Sequence, residues 1–414
     1  MKNFVINISG LASNSEYSQY DKCSTPLARA DIKNINELAS KGTVGVIKVT
    51  DDENPSTTKC NLALLGYDVK NPTINIGPSS YEALSLNVNI SANDLIFRTD
   101  FVSISGNTAE VEYLKMEPTG VNFLTKEEAG HLTYSLNEAL ADGILELYNG
   151  NGSRGCAIFR GARANDADGV IFGEMLTPPI KVMGKTLEDY LPQGKGADIF
   201  KSIFKRSLDL LRDHPVNRDR IYRKLLPANA IWLFGRATKP ALKDFRDITG
   251  FNGTVISDSA LVNGIAIAAN LDNRYYKEHG EYAWNDEVAY TEKINFAIND
   301  IFRHDFFYIH YGSPNTYSHL NDEGGKQYAI EKIDEAIGLL VQKLNSLGEE
   351  YTISVVSDHV TSCKTGLNMK GIVPFFTYKS SNQKNNDIKF NESEAQKGIY
   401  LSDGTSFIKF LKMC

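Results

Sequence analysis

Two stretches of strand–helix alternation, one at each end of the chain, set the strongest constraint on the fold. Near the start, the apolar run Phe4 to Ile8 stops at Ser9-Gly10, and a second run spans Val44 to Val49. Between them a helical pattern opens at Thr25-Pro26, passes through Ile32, Ile35, Leu38 and Ala39, and closes at Gly42. Beyond residue 224 the alternation resumes, with strands expected at Ala230 to Phe234, Gly253 to Ser257, Phe306 to His310, Tyr351 to Val356 and Val373 to Tyr378. Helices are expected at Leu261 to Ala269, Val288 to Phe302 and Glu331 to Leu347, the last with Ile333, Ile337, Leu340, Val341 and Leu344 on one face. Such alternation predicts an α/β fold, a largely parallel sheet sandwiched by helices.

The middle of the chain reads differently. Leu95 to Phe101 and Thr108 to Leu114 suggest a hairpin around Gly106-Asn107. A helix over Lys126 to Leu145, a strand over Gly155 to Arg160, a turn-rich segment over Asn165 to Pro179 and a helix over Gly196 to Arg212 follow. Residues 1–91 and 225–414 are therefore expected to form the core, with 92–224 an inserted α+β domain. At 414 residues the chain has ample length for both.

Composition narrows the partners. A net charge of −7, with Lys and Arg dispersed, disfavours nucleic acid and anionic membrane surfaces. No apolar run reaches the ~18 residues of a membrane span, and the N-terminal run is too short for a signal peptide. Cys23, Cys60, Cys156, Cys363 and Cys414 are odd in number and show no CxxC spacing, which fits a reducing, cytoplasmic setting.

The residues that could carry chemistry lie where strands end. Ser357-Asp358-His359 follows a strand, and a carboxylate beside an imidazole can bind a metal ion. His310 ends another strand, and His319 falls in the loop after it, near Asn315. Ser56-Thr57-Thr58, before the Leu62-Ala63-Leu64-Leu65-Gly66 helix, can cap that helix or present a hydroxyl nucleophile to a phosphate.

Several motifs resemble those of the archaeal-type cofactor-independent (2,3-bisphosphoglycerate-independent) phosphoglycerate mutases. They are Thr25-Pro26-Leu27-Ala28-Arg29-Ala30, Leu62-Ala63-Leu64-Leu65-Gly66-Tyr67-Asp68, Tyr81-Glu82-Ala83-Leu84 and Phe97-Arg98. His214-Pro215-Val216-Asn217 with Arg220, Pro227-Ala228-Asn229-Ala230, Ile330 to Ala336 and Ser357-Asp358-His359 continue the series in family order. The resemblance implies an alkaline-phosphatase-like core, an inserted cap that binds substrate, two divalent ions (manganese, zinc or magnesium) and a transiently phosphorylated serine. It further implies that Thr57, with Ser56 beside it, stands at the nucleophile position, and that Ser9, Asn315, His319, Asp358, His359 and Asn368 stand at metal positions. Arg98, Arg160, Arg218 and Arg220, together with Lys293, fall where a phosphate would be bound.

Ser9, Asn315 and Asn368 replace two aspartates and a histidine of the family pattern. At an effective dielectric of ~20, one charge pair at ~2 Å is worth several kcal/mol, so these replacements disfavour two tightly held ions. One ion on Asp358 and His359, or none, is the expectation, with ordinary phosphoglycerate mutase activity weak or lost. The functions in view are phosphoryl-type transfer, as a phosphomutase or phosphotransferase, on a small phosphorylated or phosphonate acid, and a catalytically inactive relative that binds a phosphorylated metabolite or a protein partner.

Overall fold

The structure is a computed structural model that describes all residues except 14–24, 141–143, 151, 163–175, 194–195, 276–286, 383, 386–387 and 414. Most of the turn-rich Asn165 to Pro179 segment, Cys23 and Cys414 lie outside the described residues. The chain divides into two compact units: Met1–Ile74 with Leu242–Cys414, and Asn75–Ala241.

The first unit is built on an eight-stranded sheet. Its order is Asp272–Tyr275, Gly253–Ser257, Phe306–Tyr311, Lys2–Ile8, Tyr351–Val356, Val373–Lys379, Thr43–Ile47 and Ile399–Leu401. Only Val373–Lys379 runs antiparallel to its neighbours. The central strands are buried along almost their whole length, including every residue of Phe306–Tyr311 and Tyr351–Val356. Helices cover both faces, as such a parallel sheet requires, and this is why the strands read as unbroken apolar runs. The 25-residue helix Glu323–Leu347 starts on an Asp322 side-chain cap and stops at Gly348, whose φ of 67° suits glycine. Its buried Ile330, Ile333, Ile337, Leu340 and Leu344 repeat at helical spacing and join the central core.

The expected largely parallel α/β core is present, with local differences. The first helical pattern is broken into Pro26–Arg29 and Lys33–Lys41, with extended backbone at Ala30 between them. The Glu323–Leu347 helix begins eight residues before the expected Glu331. His319 is not in a loop: Ser313–His319 is a helix, so Asn315 and His319 stand four apart on one face. The edge strands Asp272–Tyr275 and Ile399–Leu401 are only four and three residues long and were not expected.

The second unit holds a four-stranded antiparallel sheet in the order Leu145–Asn149, Arg154–Phe159, Leu95–Val102, Ala230–Ala237. No described strand between residues 92 and 224 enters the eight-stranded sheet. Ala230–Ala237 was expected in the core, yet it pairs with Leu95–Val102 instead. Around Gly106-Asn107 the antiparallel pairing is confined to Ile104–Ser105 with Lys115–Met116; Val111–Tyr113 is a 3₁₀ turn, and Leu95–Val102 pairs with distant segments. The helix from Lys126 ends at Leu140, and Leu145 opens a strand.

Arg220 shows how this unit is held. It is fully buried; its guanidinium contacts Glu128 at 3.0 Å and donates to the carbonyls of Asn122, Phe123 and Leu226 at 2.7–3.2 Å. A buried arginine so completely paired is costly to truncate, because its acceptors lose their donors. Arg220→Met is expected to destabilise the protein by ~3 kcal/mol or more, read as a lower urea midpoint.

Candidate functional site

The site lies at the carboxyl ends of the central strands of the first unit, the edge where α/β sheets collect their chemistry. Ser9 and Gly10 follow Lys2–Ile8, and Asp358 and His359 follow Tyr351–Val356. Adjacent parallel pairing of these two strands delivers both turns to one place. Gly10 has a φ of 68°, and a Cβ there would sit 2.8 Å from the Asn315 Cα, so only glycine allows the Ser313–His319 helix to approach so closely.

Asp358 is fully buried and accepts four hydrogen bonds. Ser9 Oγ donates to Oδ2 at 2.8 Å and Asn61 Nδ2 donates to it at 3.3 Å. The backbone N–H groups of Gly10 and His359 donate to Oδ1 at 3.3 and 2.9 Å. Asn61 Nδ2 also reaches the Thr57 carbonyl at 2.9 Å, tying the Thr57–Leu64 helix to the carboxylate.

At that helix start the neighbouring hydroxyls have different partners. Ser56 Oγ caps the helix by accepting from the Lys59 N–H at 3.2 Å. Thr57 Oγ1 lies 3.3 Å from His359 Nε2. The other ring nitrogen, His359 Nδ1, is 2.9 Å from Thr361 Oγ1, which donates to Asn315 Oδ1 at 3.0 Å and approaches Asn368 Oδ1 at 3.5 Å. Asn368 Nδ2 donates to the Pro55 carbonyl at 3.1 Å, which fixes the direction of its amide. Burial lowers the His359 pKa against the nearby Asp358 charge.

Ser9, Thr57, Asn315, Asp358, His359 and Asn368 thus belong to one hydrogen-bonded network. His319 stands one turn along from Asn315, exposed, with Nδ1 2.6 Å from the Gly366 carbonyl. Asn61 and Thr361 were not singled out from the sequence. Their spacing carried a signal, since Asn61 is one helical turn after Thr57 and Thr361 is two residues after His359 in an extended segment.

A second polar group stands on the next strands. Asp258 follows Gly253–Ser257, and Lys293 binds it at 3.1 Å while donating to the His310 carbonyl at 2.9 Å. Lys293 is buried, with its ammonium 4.7 Å from the Tyr311 ring centroid. Burial acts to raise the Asp258 pKa, but Lys293 and His310 outweigh it and hold the carboxyl below its ordinary range. His310 Nδ1 is 3.1 Å from Ser257 Oγ, and burial pushes the ring down to about 4, so it is neutral at pH 7.

The expected phosphate-binding arginines lie in the second unit, engaged with acidic side chains. Arg98 is bidentate to Glu82, and Arg160 pairs with Asp94 at 2.8 Å and Glu146 at 2.5 Å. Arg220 is internal, as described above, while Arg218 is exposed on the Pro215–Tyr222 helix.

Lys326 was likewise not foreseen. Fully buried on the Glu323–Leu347 helix, it donates to the Ala12 carbonyl (3.3 Å), Ser13 Oγ (2.6 Å) and the Thr361 carbonyl (3.0 Å). It therefore fastens the chain after Ser9 to the chain after His359, which also meet through an Ala12–Val360 bridge. Burial lowers its pKa to about 8, against the raising influence of Cys363, Glu392 and Glu323. Between pH 8 and the ordinary lysine value of about 10.5, the unfolded chain binds more protons than the folded one, so this group makes stability rise with pH there. Lys326→Met is expected to lower stability by ~2 kcal/mol and to remove that rise, which urea unfolding of both proteins from pH 8 to 10.5 would reveal.

The family model for 2,3-bisphosphoglycerate-independent phosphoglycerate mutase matches residues 39–217. The chain is 29% identical over 390 residues to the enzyme of that name from Methanothrix thermoacetophila, covering 94% of each. It is 29% identical to the Methanosarcina barkeri protein of the same name, covering 90% of each. A solved Pyrococcus horikoshii protein superposes with a TM-score of 0.77 at 21% identity, covering 100% of this chain and 96% of that one. The cofactor-independent phosphoglycerate mutase from Thermoplasma acidophilum gives 0.59 at 22% identity, covering 100% of this chain and 99% of that one. Among the described residues, no helix is long and apolar enough to cross a membrane. Along nearly its whole length the chain is similar in sequence to proteins named 2,3-bisphosphoglycerate-independent phosphoglycerate mutase.

Proposed function

We propose that this protein transfers a phosphoryl-type group to and from a small phosphorylated or phosphonate acid, through the Thr57 hydroxyl, at a site remodelled away from two-metal chemistry. The observation that carries the reading is the placement of Thr57 Oγ1 3.3 Å from His359 Nε2, beside the buried Asp358. A hydroxyl nucleophile within reach of a base, with that base oriented by a third group, is the arrangement covalent catalysis needs. The names of the similar proteins from Methanothrix and Methanosarcina suggest the substrate class, phosphoglycerate.

The donor set fits two divalent ions poorly. At the positions that the family resemblance assigns to metals, Ser9, Asn315 and Asn368 offer only neutral oxygens. Ser9 spends its hydroxyl proton on Asp358, and both Asp358 oxygens already accept two protein donors each. Among the described residues, no three His, Cys, Asp or Glu side chains are grouped to hold an ion. One ion (manganese, zinc or magnesium) on Asp358, His359 and His319 would have to displace hydrogen bonds that the carboxylate now makes. The second reading, a catalytically silent protein that binds a phosphorylated metabolite or a partner, draws on this same saturation of Asp358.

The test is interconversion of 2- and 3-phosphoglycerate by pure protein in excess manganese, beside the double variant Ser9→Asp, Asn315→Asp. Wild type should turn over at least ~1,000-fold more slowly than ordinary mutases, the cost of ~4 kcal/mol of lost transition-state stabilisation. The double variant should bind manganese more tightly by calorimetry and gain mutase activity. Wild-type turnover at the ordinary rate would refute the remodelled-site reading. Restored manganese binding without any turnover in the variant would favour the silent one.

A further inference from the structure

The turn after Gly253–Ser257 gathers buried polar atoms that the fold leaves unmatched. Among the described residues, Lys293 is the only side chain that binds the Asp258 carboxylate, through Oδ2 at 3.1 Å, and 14% of the Asp258 side chain stays open. Asn263 lies one turn into the helix Ala260–Ala268 that follows. Its Nδ2 donates to the Ser257 and Ser259 carbonyls at 3.0 and 2.8 Å, which leaves its buried Oδ1 an acceptor without a donor. On the next strand His310 Nε2 is buried and unpartnered, and so is Oδ1 of Asn7, its register neighbour one strand further on. Native interiors leave few such atoms, so a group of them around one open carboxylate points to a ligand.

This turn shares the carboxyl edge of the sheet with Thr57. Ala260–Ala268 packs against Thr57–Leu64, and both helices begin at that edge. Packed helix axes lie ~8–10 Å apart, which is about the span of a short phosphorylated molecule seated between two hydrogen-bond partners. The cation at the turn is already committed, since Lys293 Nζ meets Asp258, the His310 carbonyl at 2.9 Å and the Tyr311 ring. A ligand carboxylate would therefore bring acceptors to acceptors, beside an anion. A ligand ammonium would bring three donors and a positive charge. Burial keeps the His310 ring neutral at pH 7, so it does not oppose a cation, and Lys293 keeps Asp258 ionised. We propose that Asp258 is a specificity residue that receives a primary ammonium, with Asn263 Oδ1 as a second acceptor in the same turn. The substrate is then a phosphorylated acid that carries an amino group where phosphoglycerate carries a hydroxyl. This rests on the phosphoryl-transfer reading above and narrows its substrate class.

The experiment is calorimetry of the full chain with O-phosphoserine and 3-phosphoglycerate, which share a phosphate and a carboxylate and differ by an ammonium in place of a hydroxyl. O-phosphoserine should bind at least ~10-fold more tightly, the share of a charge-assisted hydrogen bond. Asp258→Asn should bring the two affinities within about twofold of each other. Because that change leaves Lys293 buried without its counter-charge, the double variant Asp258→Asn, Lys293→Met is measured beside it and should lose the preference equally. Mass spectrometry of the peptide containing Thr57, after incubation with each compound, reads transfer separately from binding. Equal or tighter binding of 3-phosphoglycerate by the wild type overturns the ammonium subsite, as does a preference for O-phosphoserine that survives in both variants. A preference lost in the variants, with no phosphothreonine from either compound, leaves the subsite standing and overturns transfer through Thr57. Binding of neither compound overturns both.

Discussion

The Asp358 carboxylate is the point on which the site depends. A fully buried charge is tolerable only when its lone pairs are met, and here the donors come from three parts of the chain. Ser9 and Gly10 come from the turn after the first strand, Asn61 from the Thr57–Leu64 helix, and the His359 N–H from its own turn. Hydrogen bonds to a charged group contribute about 1.5–3 kcal/mol each, so the carboxylate binds these segments together more firmly than apolar contact could. Because Asn61 also holds the Thr57 carbonyl, the position of Thr57 is fixed through the same anion.

The sheet makes this convergence possible. Lys2–Ile8 lies between Phe306–Tyr311 and Tyr351–Val356, parallel to both, so three turns emerge at one edge. The close approach at Gly10 and the Lys326 ammonium then hold those turns in register. The three acceptors of the Lys326 ammonium, the Ala12 and Thr361 carbonyls and Ser13 Oγ, are all neutral, so its charge is balanced at longer range by Glu392 and Glu323. That arrangement puts a fixed positive charge within reach of His359, where it adds to the lowering of the imidazole pKa.

Much of this was legible in the sequence, for physical reasons that also mark where legibility stops. A strand buried on both faces must be apolar throughout, so Phe306–Tyr311 and Tyr351–Val356 announce themselves. Sheet membership is a non-local property, and nothing in Ala230–Ala237 distinguishes a strand of one sheet from a strand of the other. Edge strands such as Ile399–Leu401 are half solvated and too short to show a pattern. At the site, family resemblance pointed to Ser9, Thr57, Asn315, Asp358, His359 and Asn368, which the hydrogen bonds join. Thr361, Asn61 and Lys326 escaped because their roles depend on which atom faces which, and Thr, Asn and Lys are ordinary residues at such positions. The arginines show the opposite failure: Arg98, Arg160 and Arg220 matched a chemical expectation, yet each is engaged by acids of its own unit.

Charge balance gives the replacements at residues 9, 315 and 368 a common logic. A pocket built for two dications needs several carboxylates, which repel one another whenever the ions are absent. With Ser at 9 and Asn at 315 and 368, Asp358 is the single carboxylate among the described residues of the hydrogen-bonded network, and its four hydrogen-bond partners are all donors. The change at residue 9 does more than remove a charge, because a hydroxyl can give Asp358 the hydrogen bond that a carboxylate could not. The amides at 315 and 368 likewise turn acceptors toward Thr361, and through Thr361 they act on His359. A site that had merely decayed would leave buried polar atoms unmatched at these positions. Here the side chains at 9, 315 and 368 pair in a consistent donor–acceptor order, and that order ends on the Thr57 hydroxyl, the nucleophile of the proposed reading.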